Sequence, residues 1–188
     1  MKSALMIIDM QNDFVRPWGA MYVPGAEKII PKILELSAEA RRHDIPVVHI
    51  IQEHRRQKVD YGLELLTSPL HCVENTEGAK IIDELRQNMD DEKDYVVVKR
   101  RFSGFLGTDL DLLLRGLGVE KVYITGIVAE GCVRATAVDA LQLGYRVVLV
   151  TDCIAGLTHE GYEELLEFFR HRPDGLINST DVCFSKER

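Results

Sequence analysis

Short apolar runs alternate along the chain with stretches whose apolar residues recur at helical spacing. Residues 4–8 form a continuous apolar run, as in a strand buried on both faces. Residues 26–43 place Ile29, Ile30, Ile33, Leu34 and Leu36 on one helical face, with i,i+3 and i,i+4 pairs such as 29–33, 30–34 and 33–36, which predicts a helix. The same alternation continues downstream. Strands are predicted at 46–51, 94–98, 121–125 and 145–150, with a short one near 176–178. Helices are predicted at 77–88, 108–115, 131–143 and 160–169, with Gly116 and Gly118 suited to ending the second of these.

Strands alternating with helices imply a parallel sheet covered on both faces. The predicted fold is therefore a Rossmann-like three-layer α/β/α sandwich with a mostly parallel sheet of five or six strands. No linker, internal repeat or low-complexity tract interrupts the pattern, so residues 1–188 are read as one domain. In such sheets ligands sit beyond the carboxyl ends of the strands. That rule selects Asp9, the segment Gln52-Glu53-His54, Lys99, Cys132 and Asp152.

Composition narrows the partners. A net charge of −7 without a basic run disfavours nucleic acid and anionic membranes. No apolar stretch is long enough to span a bilayer, and Asp9 breaks the apolar N-terminus too early for a signal peptide. The four cysteines form no C-x-x-C pair and are too sparse for a disulfide scaffold, so the expected setting is reducing and cytoplasmic. Cys72, Cys153 and Cys183 are read as bystanders.

Cys132 stands apart because it falls at a strand-to-helix junction. Unpaired N–H groups and the positive end of a helix dipole favour a thiolate there; the other reading is a buried, inert core cysteine. Asp9 ends the first strand and reads either as a turn-forming residue or as a buried general base for the thiol. Lys99 would stabilise charge on both if it lay close, with Arg100 and Arg101 as competitors. Backbone N–H groups of the 126–132 loop, including that of Cys132, could face an oxyanion.

Three blocks carry a resemblance: Ile-Ile-Asp-Met-Gln-Asn-Asp-Phe around Asp9, Val-Lys-Arg-Arg-Phe-Ser-Gly-Phe around Lys99, and Gly-Ile-Val-Ala-Glu-Gly-Cys-Val-Arg ending past Cys132. In order and at compatible spacing, they resemble the isochorismatase-like cysteine hydrolases, among them nicotinamidases, N-carbamoylsarcosine amidases and biuret hydrolases. The resemblance implies a catalytic triad of Asp9, Lys99 and Cys132, a cis peptide at Ile127–Val128, and oxyanion donors at the N–H groups of Val128 and Cys132. It also implies a homo-oligomer. Nicotinamidases of this group hold a metal through an Asp-x-His pair after the second strand and a later His. Here Gln52 takes the Asp position and Glu53 adjoins His54; His71 matches the later ligand, and Asp60 is a distant carboxylate. The expectation is no metal and no cofactor. Phe14 and Phe105 are the candidate substrate-binding residues, with Trp18 and Phe102 as further aromatics nearby.

The resulting expectation is a cysteine hydrolase that cleaves a C–N bond of a small amide or ureido compound through a thioester. The alternatives are a nicotinamidase or pyrazinamidase with an altered metal site, and a catalytically silent binding protein with the same fold.

Overall fold

The structure is a computed structural model and describes residues 1–184. Six strands form a single sheet in the order β3-β2-β1-β4-β5-β6. They are β1 (Ser3–Ile8), β2 (Val47–Gln52), β3 (Asp94–Lys99), β4 (Lys121–Ile127), β5 (Arg146–Ala155) and β6 (Leu176–Ile177). Every pairing is parallel, and β1 lies between β2 and β4. All six residues of β1 are buried, which explains its unbroken apolar run.

Alternation along β1 feeds two cores. Leu5 and Ile7 point into one apolar cluster, and Ala4, Met6 and Ile8 into the other. The first is covered by the short α1 (Asn12–Val15), by α2 (Ile30–Arg42) and by the short α3 (Asp83–Arg86). On α2 the buried stripe is Ile30, Ile33, Leu36 and Ala40, each large side chain worth about 1.5–3 kcal/mol of burial. The second cluster is covered by α4 (Leu110–Gly116), α5 (Arg134–Gln142) and α6 (His159–Arg170). Thr158 caps α6, its Oγ1 accepting from the Gly161 N–H at 3.0 Å.

One predicted element is largely replaced. Of the helix expected over 77–88, only α3 forms. The preceding residues are drawn out to pair with the loop after β1: the Asn12 N–H donates to Lys80 O, the Asp13 N–H to Gly78 O and the Ile82 N–H to Met10 O. A Cβ on Gly78 would lie 2.2 Å from Asp13 Oδ2, so close packing of the two loops requires glycine there. Tertiary pairing thus overrides helical periodicity. The helix expected over 131–143 also starts differently. A π-helical turn, Ala129–Val133, precedes α5, with the Val133 N–H reaching back to Val128 O at 3.2 Å. Such turns are rare and often mark functional sites.

Candidate active site

The strand order reverses direction between β1 and β4, and the crevice at their carboxyl ends is where this topology places a ligand. Gly126, near the end of β4, has φ of +105° and passes so close to β1 that a Cβ would sit 2.1 Å from Ile8 O. Next on β1 comes Asp9, whose φ of +53° is uncommon for a residue with a side chain. Its N–H donates to Ile50 O, and its carbonyl accepts from Gln11. Local strain of this kind is held by surrounding structure and gathers at functional sites.

Three elements converge there. Lys99 ends β3, Asp9 follows β1, and Cys132 projects from the π-helical turn after β4. The Lys99 ammonium lies 2.9 Å from Asp9 Oδ2 and 3.3 Å from Cys132 Sγ. Its remaining partner is Gln52 Oε1, at 2.9 Å. Relative exposures of 1 % for Asp9, 0 % for Lys99 and 6 % for Cys132 place the cluster out of bulk water. The Ile127–Val128 peptide is cis. Glu130 in the same turn accepts from the N–H groups of Leu157 and Thr158 at 3.1 and 2.8 Å, tying the turn to the start of α6.

Burial sets the charges. It pushes the Cys132 thiol well up from its ordinary range, the Asp9 charge adds to this, and Lys99 opposes without cancelling it. Burial also raises the Asp9 carboxyl, against the pull of Lys99. For Lys99 burial works the other way, but the Asp9 carboxylate outweighs it and holds the ammonium charged. Burial therefore favours the thiol form of Cys132 over the thiolate that a helix N-terminus alone would favour. Among the described residues, Asp9 Oδ2 has the Lys99 ammonium as its ion-pair partner at 2.9 Å, and no backbone N–H donates to either oxygen. A buried carboxylate with unused lone pairs beside a thiol is suited to taking its proton.

Beside the cluster lie His54, Glu64 and His71, with one ligand atom from each within 4.8 Å of the others. Glu64 is the carboxylate the sequence did not single out. It sits 3.2 Å from His71 Nε2, whereas Asp60 Oδ1 meets the far nitrogen of His54, Nδ1, at 3.2 Å. Glu53 is not among these groups. Burial lowers the His54 pKa; for His71, Glu64 and the Pro69 carbonyl outweigh burial and raise it. These groups do not fit a divalent ion. The Gln52 side-chain nitrogen, which is no metal ligand, stands 2.8 Å from His54 Nε2 and 3.1 Å from His71 Nε2.

The aromatic candidates divide. Phe14 is buried and meets His71 edge-on, with ring centroids 5.8 Å apart, so it belongs to the wall of the site. Phe105 does not reach it. Its ring stacks on Tyr145, which precedes β5 at the opposite end of the sheet. The cause is the turn after β3, where the Gly104 N–H donates to Thr136 Oγ1 and directs the next residue into the helical layer. Phe102 is half exposed and lines a cleft of about 330 Å³ with Tyr61, Leu63, Glu64 and Arg101. Because Glu64 faces both this cleft and His71, the cleft adjoins the buried cluster. Trp18 is largely exposed. Gln11 was passed over as well: its amide accepts from the Gln52 N–H at 2.8 Å and donates to Gln52 O at 2.7 Å, clamping the end of β2.

An all-parallel doubly wound sheet with a buried Asp–Lys–Cys cluster at its topological switch is the α/β/α sandwich of a small-molecule enzyme domain. The isochorismatase domain profile matches residues 3–181, and the chain belongs to that family of hydrolases. It is 36% identical over 167 residues to a protein of Arabidopsis thaliana named as a probable inactive nicotinamidase, covering 84% of this chain and 83% of that one. An isochorismatase-like hydrolase of Alkaliphilus metalliredigens superposes with a TM-score of 0.86 at 37% identity, covering 96% of each chain. The pyrazinamidase of Pyrococcus horikoshii, solved in complex with zinc, superposes with a TM-score of 0.84 at 36% identity, covering 95% of this chain and 99% of that one.

Proposed function

We propose that the protein is a cysteine-dependent amidohydrolase acting on a small amide or ureido compound. The observation that carries this reading is the contiguous buried cluster of Asp9, Lys99 and Cys132, with Lys99 Nζ 2.9 and 3.3 Å from its two partners. Asp9 takes the Cys132 proton as sulfur attacks the carbonyl carbon, and hands that proton to the departing ammonia. Lys99 keeps its positive charge throughout and offsets the anionic character of the thiolate. The N–H groups of Val128 and Cys132 hold the tetrahedral oxyanion. Among the described residues the Val128 N–H has no backbone acceptor, which is consistent with this role. Water deprotonated by Asp9 then hydrolyses the thioester. The enclosed cluster and the cleft of about 330 Å³ beside it favour small, compact substrates.

An ammonia-release screen tests the reading. It covers nicotinamide, pyrazinamide, biuret, N-carbamoyl amino acids and ureidoacrylate-like amides, with wild type and Cys132→Ala side by side. Turnover of at least one compound by wild type and none by the variant is expected. No turnover of any would favour the silent binding protein, as would the naming of the Arabidopsis relative.

A further inference from the structure

Gln52 is buried, at 1 % exposure, and every polar atom of its side chain is engaged. Lys99 Nζ carries only donors, so the Gln52 atom 2.9 Å from it is the oxygen. This fixes the side-chain nitrogen on the opposite side, facing His54 Nε2 and His71 Nε2. The histidines confirm that orientation independently. His54 Nδ1 faces the Asp60 carboxylate, and His71 Nδ1 faces Pro69 O at 2.8 Å. Both partners are acceptors, so both Nδ1 atoms carry hydrogen and the His54 Nε2 lone pair points at the amide, while His71 Nε2 lies between the amide and Glu64 Oε1. A charged His71 gives its Nε2 proton to Glu64 instead, which equally removes that nitrogen as a ligand.

We propose that Gln52 is a positioning residue that takes the place of a metal ion in this site. Its side-chain nitrogen donates to His54 Nε2 and packs against His71 Nε2, filling the place between the imidazoles that an ion would otherwise hold, while its oxygen orients the Lys99 ammonium. An incoming cation would meet the positive ends of N–H dipoles. Turning the amide over would put NH₂ against the Lys99 ammonium, donor to donor, so the exchange is opposed at both ends. The packing resists it too: the His54 ring stacks on Tyr61 with centroids 3.7 Å apart, and Gln11 clamps the Gln52 main chain. The proton arrangement stands without the amidase reading; only its kinetic consequence, through Lys99, rests on it.

The isosteric Gln52→Glu variant separates the possibilities. One carboxylate oxygen keeps the Lys99 contact, and the other turns an acceptor towards His54, His71 and Glu64. Cobalt(II) and zinc(II) titrations of wild type and variant, each checked for folding by circular dichroism, read the outcome. The variant should take one equivalent of cobalt(II) with visible ligand-field bands, and bind zinc(II) about 100-fold more tightly than wild type. Wild type should show no such bands. Bands in wild type that vanish in His71→Ala would overturn the proposal, as would a folded variant that gains no site. Should the variant not fold, ¹⁵N spectra of the wild-type imidazoles decide: Nε2 resonances unmoved by zinc(II) support the amide, and a zinc-induced shift refutes it. In wild type, turnover of any substrate found should persist in EDTA. Activity lost on chelation and restored by zinc(II) would also refute the proposal and would leave the cysteine reading untouched.

Discussion

Lys99 donates to Gln52 and Cys132 and forms a direct ion pair with Asp9 at 2.9 Å. Arg101, two residues on, turns outward and donates to the main-chain carbonyls of Asp60 and Arg100. Lys99→Ala should therefore lower kcat by about 100-fold or more, as loss of a buried charge-stabilising group does, while Arg101→Ala should cost far less. Steady-state kinetics on both variants checks this, and equal losses would mean that the wrong cation has been assigned. The pH profile follows from Asp9. In the proposed role of base it must be ionised, so activity should fall as pH drops through its pKa, which burial holds above the ordinary 3.8. The acid limb of kcat/KM should lie above that value, and a limb at or below it would contradict the role. Asp9, Lys99 and Cys132 were legible in the sequence because each ends or follows a strand. Gln52's role was not. It depends on the β2–β3 register, which sets Gln52 opposite Lys99. Glu64 escaped notice because it lies in a short 3₁₀ turn, Glu64–Leu66, with no periodic signal.

At the scale of elements, the edge strand β3 is anchored by its first residue. Asp94 accepts from Arg41 Nε on α2 at 2.9 Å and faces His49 Nε2 on β2 at 3.2 Å. Burial opposes its charge, but the His49 and Arg41 contacts prevail and bring its pKa to about 2 from 3.8. A depressed carboxyl contributes stability that is present above the unfolded value and lost as pH falls through the folded one. Asp94→Asn should thus be less stable by about 2 kcal/mol near pH 7, and the gap should close between about pH 4 and pH 2. Denaturant melts of both proteins across that range measure it; a gap independent of pH would show that packing, not charge, is responsible. The strands β1 to β5 were readable because each contains a run of apolar residues, although β5 continues past its run through Thr151 and Asp152 to Ala155, and α2 because its stripe is regular. Residues 77–82 were not, since their partners lie about seventy residues earlier in the loop around Asn12. The π-helical turn carrying Cys132 also lacked a sequence signal, its bonds being set by the main chain of Val128.

At the scale of the whole molecule, the site exists only because the sheet brings distant segments to one end. β-α alternation implied the sandwich, but not the order that sets β1 between β2 and β4, nor the reach of Lys99 from the edge strand past Gln52. Among the described residues no helix is long and apolar enough to cross a membrane. The central claim is that this assembled fold breaks an amide by forming a thioester on Cys132. Acid quenching during turnover, followed by intact mass and peptide mapping, tests it most directly. With a substrate R–CO–NH₂, the account predicts one adduct of the acyl group R–CO on Cys132, formed as ammonia is released and absent in Cys132→Ala. Undiminished ammonia release by Cys132→Ala, or an adduct on Cys72, Cys153 or Cys183 instead, would contradict it.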